Sequence, residues 1–533
     1  MNLLAAALLV LLVASAAAHG AQPTTNPVLP HRSWQFQDLN WDYLKDAIPK
    51  ARAAGMNRIQ LSHRIIMDAQ NMWENEQRAT VVKAALKLAH EHGLKVDIWV
   101  HELSGISDAT LKQGEQAIWD FVRAKYKRLF EILPDVDGLV LTFAETQHIV
   151  YRTPITNDPP AVRVAKLIDL LSQICAEKQK TLLVRTFSYE PQDLAFIGEA
   201  LEQTAKALHG RGNVIVMTKC VPHDWTPFYP FNPRLGKTAG LPQVVEIDLG
   251  QEFTGQSALL HCEVDYVKRI LDYSRSRGII GAVARVERMD RHALGTPNEV
   301  NIHAFSRLLH DPELSVDALW TQWLEQRYPR PAAPHLRRAL ERTFDITNLT
   351  CFPLEQWITN HSELPSWSYA YGHITERQNA KWIASPHQQR LRDELLRPTE
   401  DTLLKIETEK DLARRFVELS LADLAKARPH LSEPDHAALL HHLELARENV
   451  ELFRQHNLAM FSTLCARELR RQQAPAEHIK AMTDRARRHV ALLRQQADRM
   501  EKLFGPSVWP GKPKTARAFA DEVEAQLARD ADQ

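Results

Sequence analysis

The chain has 533 residues, of which 44% are hydrophobic and 25% are charged, as expected for a folded protein of roughly two to four domains. Its 66 Lys and Arg residues balance its 66 Asp and Glu residues. Overall charge therefore gives no reason to expect nucleic acid or an anionic membrane as a partner.

The N-terminal segment differs from the rest of the chain. Residues 3–18 form an unbroken run of apolar and small residues, followed by His-Gly-Ala. The run is short for a membrane span and is followed by small residues, so we expect 1–21 to be a secretory signal peptide. This predicts a secreted or periplasmic protein that has no membrane contact after cleavage. No Lys or Arg follows Met1, so an uncleaved anchor remains the alternative.

The next 300 or so residues alternate short apolar runs, rich in β-branched residues, with helical patterns. Predicted strands are 33–38, 57–62, 95–100, 138–143, 181–187, 213–218, 244–248 and 279–283, and predicted helices include 81–92, 115–133, 162–177, 194–209 and 263–277. Eight strands, each followed by a crossover, indicate an α/β fold with a closed (β/α)8 TIM barrel over 22–330. An open doubly wound sheet would usually carry a Gly-rich phosphate loop, and this chain has none.

The connection between the sixth and seventh strands, 221–243, is Pro-rich and has no helical pattern. Long loops that follow barrel strands lie at the barrel mouth and usually serve function. Beyond residue 330 the strand patterns end, and 402–427, 433–455, 460–472 and 476–504 have helical spacing. We expect 331–533 to be a helical C-terminal domain with solvated charged faces. A homodimer formed through it is an open alternative.

Catalytic groups of such barrels stand at the C-terminal ends of the strands. Polar and aromatic residues follow almost every predicted strand: His63, His101, Glu102, Glu145, Arg185, Tyr189, Lys219, Asp224, Trp225, Glu252, Arg285 and Arg288. Carboxylates, cations and aromatic rings should therefore gather at one end of the barrel.

This set of residue types suits cleavage of a glycosidic bond. The reaction needs one carboxylic acid to protonate the leaving oxygen and a second carboxylate to activate water or attack the sugar. Aromatic faces such as Trp225 and Tyr189 suit sugar rings. Structural alternatives stay open, because Glu145 could be a rim ion-pair partner, Asp224 a turn residue and Glu252 the partner of an arginine. For Glu102 a structural or positioning role is favoured over a catalytic one.

Five segments occur in an order that resembles a known family. They are strand 4 with Glu145, Val-Arg-Thr-Phe-Ser-Tyr at 184–189, Asn-Val-Ile-Val-Met-Thr-Lys-Cys-Val-Pro-His-Asp-Trp at 213–225, Gly-Gln-Glu-Phe-Thr-Gly-Gln at 250–256, and the helix-like segment 298–315. Together they resemble the catalytic barrel of glycoside hydrolase family 67, the xylan α-glucuronidases, over 135–328.

The resemblance implies roles for single residues. Glu145 falls on the family's general acid, and Asp224 and Glu252 fall on its two candidate bases. Lys219 and Arg185 fall on cations that hold the uronate carboxylate, which is a strong and directional contact.

This chain also departs from the family pattern. The family carries a β-rich domain before the barrel, whereas here barely a dozen residues separate the predicted signal from the first strand. The family's lysine before the strand-4 acid is missing, and Arg152 in the following loop is the candidate substitute. We therefore expect a distant relative. The remaining predicted substrate-binding residues are Trp225, Tyr189, His63, Glu102 and Arg288.

The resulting hypothesis is a secreted, inverting α-glycosidase that removes a terminal uronic acid from plant or algal polysaccharide fragments. An inverting enzyme predicts about 6.5–9.5 Å between the acid and the base, and a retaining enzyme about 5 Å. A hexosaminidase-type barrel usually has adjacent acids after strand 4, whereas Glu145 stands between Ala144 and Thr146. A non-catalytic carbohydrate-binding protein is the alternative from another class.

No metal or organic cofactor is expected, because the scattered histidines have no metal-ligand spacing. The five cysteines, Cys175, Cys220, Cys262, Cys351 and Cys465, form no Cys-x-x-Cys pair. A chain of this size can bury its own core without a disulfide framework. One disulfide remains open.

Overall fold

The computed structural model describes residues 28–66, 68–153, 155–186, 191–208, 212–222, 224–288, 291–375, 385–505 and 512–531. The predicted signal peptide, Tyr189 and the side chain of His63 lie outside this description. No helix among the described residues is long and apolar enough to cross a membrane.

Eight parallel strands form a closed barrel in chain order, with β1 paired to both β2 and β8. Their bounds are β1 His31–Phe36, β2 Arg58–Leu61, β3 Lys95–His101, β4 Gly138–Thr142, β5 Thr181–Arg185, β6 Val214–Lys219, β7 Gln243–Asp248 and β8 Gly281–Arg285. A Cβ added at Gly281 would collide with the carbonyl oxygen of His31, so glycine allows β1 and β8 to approach. The closed barrel confirms the predicted (β/α)8 architecture and excludes the open sheet.

The two-residue period of the strands arranges the barrel interior in layers. Six large apolar side chains fill one interior layer: Trp99, Val140, Leu183, Met217, Val244 and Val283. Two residues further along the same strands stand His101, Thr142, Arg185, Lys219, Glu246 and Arg285, all of them buried. An apolar plug therefore lies directly beneath a layer of polar side chains at the C-terminal mouth.

Helices surround the barrel. They are Trp41–Ala53, His63–Ile66, Asn71–Glu74, Glu76–Glu91, Asp108–Lys112, Glu115–Ile132, Pro160–Glu177, Pro191–Ala207, Gln251–Ser257, Val264–Ser276 and Glu299–His310. A two-stranded hairpin, β9 Glu287–Arg288 and β10 Arg291–His292, follows β8. Between residues 220 and 242 the described residues contain neither helix nor strand, in agreement with the predicted long loop.

The rest of the chain is helical. Its α-helices are Val316–Arg327, Ala333–Glu341, Thr343–Cys351, Trp367–Thr375, Pro386–Leu396, Glu400–Ala427, Glu433–Arg471, Ala476–Phe504 and Lys512–Ala531, with 3-10 turns at Pro353–Glu355 and Arg428–His430.

The predicted break between 433–455 and 460–472 is wrong, since one helix runs through both. Its polar residues are buried and hydrogen-bonded rather than part of a loop: Gln455 lies 2.7 Å from His489 Nδ1, and His456 Nε2 lies 3.1 Å from the oxygen of Pro365.

The helical region packs directly on the barrel. The backbone N–H of Cys262 donates to Thr343 Oγ1 at 3.0 Å, and Thr347 Oγ1 donates to the carbonyl of Leu260 at 2.9 Å. Buried apolar residues of the outer barrel and of the helical region form one continuous core. The five cysteines are buried free thiols.

Candidate active site

Arg185, at the end of β5, is the most firmly fixed cation of the polar layer. Its Nε and Nη2 lie 2.7 and 3.2 Å from the two carboxylate oxygens of Glu246, and Nη1 donates to Thr142 Oγ1 at 3.1 Å. The guanidinium lies 4.6 Å from the ring centre of Trp99. A bidentate pair on an aromatic floor leaves little freedom of rotation. Glu246, which sequence reasoning missed, therefore orients Arg185.

Glu145 follows β4 and reaches this cation from the rim. Its Oε2 lies 3.8 Å from Arg185 Nη1 and 3.9 Å from His101 Nε2, and its side chain is 27% exposed. The preceding Ala144 has a φ of +69°, a left-handed conformation that is uncommon for residues with a side chain. Such strain persists only where the surroundings hold it.

Glu102 holds Ala144 in this conformation. Its carboxylate is fully buried and accepts hydrogen bonds from the backbone N–H groups of Ala144, at 3.1 Å, and Val150, at 2.7 Å. Glu102 thus fixes both ends of the loop that carries Glu145. This geometry favours the structural alternative left open for Glu102.

Lys219 and Asp224 form the next part of the site, on β6 and the loop after it. Lys219 Nζ donates to Asp224 Oδ1 at 2.9 Å and lies 4.2 Å from the ring centre of Trp225. Burial lowers the pKa of Lys219, and the charge of Asp224 opposes that shift. Trp225 is also covered by Arg285, at 5.2 Å. Because Trp225 is only 5% exposed, its ring mainly contacts these two cations and offers little surface to a sugar.

Glu252 lies in the first turn of Gln251–Ser257, directly after β7. Arg285 Nη1 donates to its Oε1, and Arg288 Nε lies 3.0 Å from its Oε2. Burial opposes the charged form, but Arg288 and Arg285 outweigh it and lower the pKa of Glu252. The nearby Asp248 accepts the backbone N–H of Glu252 at 3.0 Å, and burial raises its pKa.

A residue far along the chain enters this group. His361 lies in a loop of the helical region, with Nε2 at 3.7 Å from Asp224 Oδ2 and Nδ1 at 3.8 Å from Glu252 Oε2. Sequence reasoning missed it because no local pattern marks residue 361 as a neighbour of strand ends more than 100 positions earlier. The one signal that could have identified His361 is the burial of the loop that carries it.

The ligand atoms of Asp224, Glu252 and His361 lie within 4.8 Å of one another, as the ligands of a metal ion would. The charges nearby do not suit a cation. Both oxygens of Glu252 are paired with arginines and Asp224 is paired with Lys219, so a divalent ion would have to displace these cations. The described residues therefore fit an anionic ligand better than a metal.

Two other predicted substrate contacts differ in placement. Arg288 lies in the hairpin at the mouth and bonds Gln37 Oε1 at 3.3 Å in addition to its pair with Glu252. Arg152 is exposed, with its guanidinium 5.7 Å from the ring centre of Tyr151. Arg288 is thus part of the buried charge network, whereas Arg152 lies at the surface of the loop after β4.

A groove of about 620 Å³ lies on the flank of the barrel rather than at its mouth. Its lining includes Trp34, Gly55, His303 and Trp323, and none of the predicted site residues. The concave surface and the cluster of titratable groups are therefore separate features. We place the candidate site at the titratable cluster, because catalysis needs the acids.

Comparison with known proteins agrees with the motifs. Residues 53–301, just under half of the chain, match the family model described as "Glycosyl hydrolase family 67 middle domain". No curated protein matches the chain.

Several solved structures match most of the length of the chain at low sequence identity. A mutant of the Thermobaculum terrenum O-GlcNAc hydrolase is 11% identical, with a TM-score of 0.48, covering 96% of this chain and 97% of that one. CpGH84B is 12% identical at a TM-score of 0.46, covering 93% and 77%. BtGH115A, described as a family GH115 4-O-methyl-α-glucuronidase with specificity for decorated arabinogalactans, is 12% identical at 0.47, covering 93% and 62%. These values are too low to assign an activity.

Proposed function

The barrel is that of a glycoside hydrolase, a distant relative of the family 67 middle domain over 53–301, and from this premise we propose an inverting α-glycosidase that acts on a terminal α-linked uronic acid. The observation that carries the proposal is the arrangement of acids and cations at the mouth. Glu145 stands after β4 and Asp224 after β6, with the cation Arg185 on the strand between them.

The spacing of the strands supports inversion. Neighbouring strands lie about 4.8 Å apart, so groups on strands two positions apart start on the order of 10 Å apart along the wall. Side chains that lean toward the barrel axis shorten this separation. The resulting separation between acid and base leaves room for a water and a sugar, as an inverting enzyme needs. A retaining pair would need a shorter separation.

Asp224 is the better base of the two candidates. Glu252 is 2% exposed and both of its oxygens are held by guanidinium groups, so taking up a proton would break two buried ion pairs. Asp224 has a side chain that is 21% exposed, is paired with Lys219 through Oδ1 and faces His361 through Oδ2. We assign proton abstraction to Asp224 and an anchoring role to Glu252.

Charge balance supports a uronate. Four cations, Arg185, Lys219, Arg285 and Arg288, belong to the described network. A carboxylate on the substrate adds a negative charge next to Lys219 and Arg185, which planar and ammonium donors can bind directly. With the raised pKa of Asp248 and a protonated acid at Glu145, these four cations would face three carboxylates, those of Glu246, Asp224 and Glu252.

The reaction then proceeds in a single displacement. The oxygen of a water attacks the anomeric carbon as the bond from that carbon to the leaving oxygen breaks. Glu145 gives its proton to the leaving oxygen, and one proton of the water passes to Asp224. The product has the opposite anomeric configuration to the substrate.

Hydrolysis of aryl and oligosaccharide α-uronosides, followed by proton NMR of the first anomer released, tests the proposal. We expect the β-anomer first, and Glu145→Gln should lower kcat by about 10²–10⁴ on substrates with poor leaving groups. Because protonation matters less for a good leaving group, an activated aryl α-uronoside should lose less. Release of the α-anomer first, or wild-type rates for Glu145→Gln on poor leaving groups, would refute the mechanism.

Export is a second part of the proposal. The apolar run at 3–18 and the small residues after it support a cleaved signal peptide. N-terminal sequencing of protein recovered outside the cytoplasm should begin close to residue 22. Recovery of the intact N-terminus in the membrane fraction would favour the anchor.

A further inference from the structure

His361 belongs to a loop, 356–366, that lies buried between the barrel and the long helices. Gln356, Trp357, Thr359 and Ser362 in this loop are at most 3% exposed. Loops normally run over the surface, because buried backbone needs partners. Specific contacts with the rest of the protein must therefore hold this buried loop in place.

Both the barrel and the helical region form hydrogen bonds with this loop. On the barrel side, Ser362 Oγ donates to the carbonyl of Phe253 at 3.3 Å, one residue after Glu252. On the helical side, His456 Nε2 lies 3.1 Å from the carbonyl oxygen of Pro365. His361 itself has a φ of +55° and is 3% exposed. The imidazole is thus held rigidly at the two acids, at some cost in backbone strain.

The hydrogen bonds around the ring assign its proton. Asn360 Nδ2 donates to Glu363 Oε2 at 3.2 Å, which orients Asn360 Oδ1 toward His361 Nδ1, 3.2 Å away. An amide oxygen only accepts, so Nδ1 must carry the hydrogen. Burial lowers the pKa of His361 and so favours the neutral ring, in which Nε2 then carries only a lone pair. Nε2 lies 3.7 Å from Asp224 Oδ2 and has no hydrogen-bond partner among the described residues.

His361 Nε2 and the ionised Asp224 Oδ2 are both acceptors, so they cannot form a hydrogen bond with each other until one of them gains a proton. We propose that His361 is a positioning residue for the base: when Asp224 takes the proton of the attacking water on Oδ2, His361 Nε2 accepts a hydrogen bond from the new carboxylic acid. The proton stays on Asp224 during the displacement and leaves to solvent afterwards. The inference rests on the proposed function and adds a residue beyond the region that matches the family model.

The groups around the ring agree with this role. His361 faces Asp224 from the β6–β7 loop, Glu252 from the helix after β7, Arg288 from the hairpin after β8 and Glu363 from its own loop. His261 lies behind Phe253. Burial lowers the pKa of His361, and the two acids oppose that shift. A neutral ring keeps Nε2 available as an acceptor at the pH where Asp224 is ionised.

Steady-state kinetics against pH for His361→Asn provide the test, since asparagine tolerates positive φ. A hydrogen bond to the protonated form raises the pKa of a carboxyl group. Removing the bond should therefore shift the acid limb of kcat/KM downward by about half a pH unit or more and lower kcat about 10–100-fold, with KM changed less than about threefold. An upward shift would mean that Nε2 donates to the carboxylate, and would overturn the inference.

His310→Asn is the matched control, because His310 bonds the carbonyl of Gly55 at 3.1 Å beside the N-terminal end of β2. It should keep the wild-type pH profile. His361→Gln, whose amide oxygen can accept, should recover part of kcat. Failure of both variants at 361 to move the acid limb would show that the loop only packs.

A second measurement does not need turnover. Long-range ¹H–¹⁵N correlation of ¹⁵N-histidine-labelled protein, assigned with His361→Asn, should show hydrogen on Nδ1 and a bare Nε2. Hydrogen on Nε2 would overturn the inference even in an active enzyme. If the wild-type protein hydrolyses no α-uronoside, the proposed function fails, and the tautomer alone then decides the inference.

Discussion

The acids at the mouth differ in how many buried cations they neutralise. Glu252 is the counter-ion of two buried arginines, whereas Asp224 is partly exposed and has one lysine partner. Removing one member of a buried pair leaves an uncompensated charge. Loss of Glu252 leaves two arginines, which cannot lose their protons, whereas loss of Asp224 leaves one lysine, whose pKa burial already lowers. Two acids with similar predicted roles should therefore respond differently to neutralisation.

Glu252→Gln should destabilise the protein by about 3–5 kcal/mol, because Arg285 and Arg288 lose their common partner. Asp224→Asn should cost clearly less in stability yet reduce kcat by about 10³. Urea unfolding of each variant, together with kcat on an α-uronoside, separates the two effects. Equal losses of stability would contradict the different roles assigned to the two acids.

Glu287 should make stability depend on pH. It is fully buried, accepts the backbone N–H groups of Gln37 and Asp38, and has its pKa raised to about 8, chiefly by burial. The folded state then binds more protons than the unfolded state between pH 4.5 and about 8, so this contribution to stability is present at low pH and is lost as pH rises through that window.

Glu287→Gln keeps an acceptor oxygen and removes the titration. Between pH 5 and 8 the wild type should lose about 3–4 kcal/mol more than this variant. Thermal unfolding at the two pH values provides the measurement. Parallel pH dependence of the two proteins would show that Glu287 does not titrate in this range.

Among elements, the loops at the mouth decide where the acids stand. The strands bring Arg185, Lys219 and Arg285 to one layer by their register, but Glu145, Asp224 and His361 all lie in loops. Ala144, Asp224 and His361 have positive φ values of 69°, 41° and 55°. Strained backbone beside each loop-borne site residue indicates that surrounding contacts set these positions.

Glu102→Gln tests this for the loop that carries Glu145. A neutral amide presents one acceptor oxygen to Ala144 N and Val150 N instead of the two that the carboxylate presents. We expect faster hydrogen exchange across 144–150 and a fall in kcat/KM of about tenfold or more. Unchanged exchange together with reduced activity would instead indicate that Glu102 contacts the substrate directly.

For the whole molecule, the helical region completes the barrel. It supplies His361 to the mouth and covers apolar surface around Phe253, whose ring centre lies 6.1 Å from that of Phe352. Buried hydrogen bonds also cross the boundary, from Cys262 to Thr343 and from Thr347 to Leu260. A barrel without this cover would expose apolar surface and unpaired polar groups at once.

A chain that ends at residue 330 should therefore fail to give a soluble barrel with a cooperative unfolding transition. Circular dichroism and size-exclusion chromatography of the purified product would show this. A folded, monomeric barrel of that length would contradict the shared core, and would make it possible to measure activity without His361.

The sequence by itself determined the barrel and most of its mouth. Short apolar runs rich in β-branched residues, alternating with helical patterns, indicate strands buried on both faces. The two-residue period then fixes which side chain follows the apolar layer, as Leu183 precedes Arg185 and Met217 precedes Lys219. Such local patterns also gave Glu145, Asp224 and Glu252, since each stands shortly after a strand end.

The tertiary structure alone decided how these residues are used. That Glu246 holds Arg185, that Glu102 anchors a loop and that His361 reaches the acids depend on contacts between distant segments, which leave no periodic signal in the chain. The continuous helix Glu433–Arg471 is a similar case, because its buried polar residues are satisfied by partners outside the helix. Local periodicity reports which face of an element is buried, whereas the chemistry of a buried polar group depends on its partner in space.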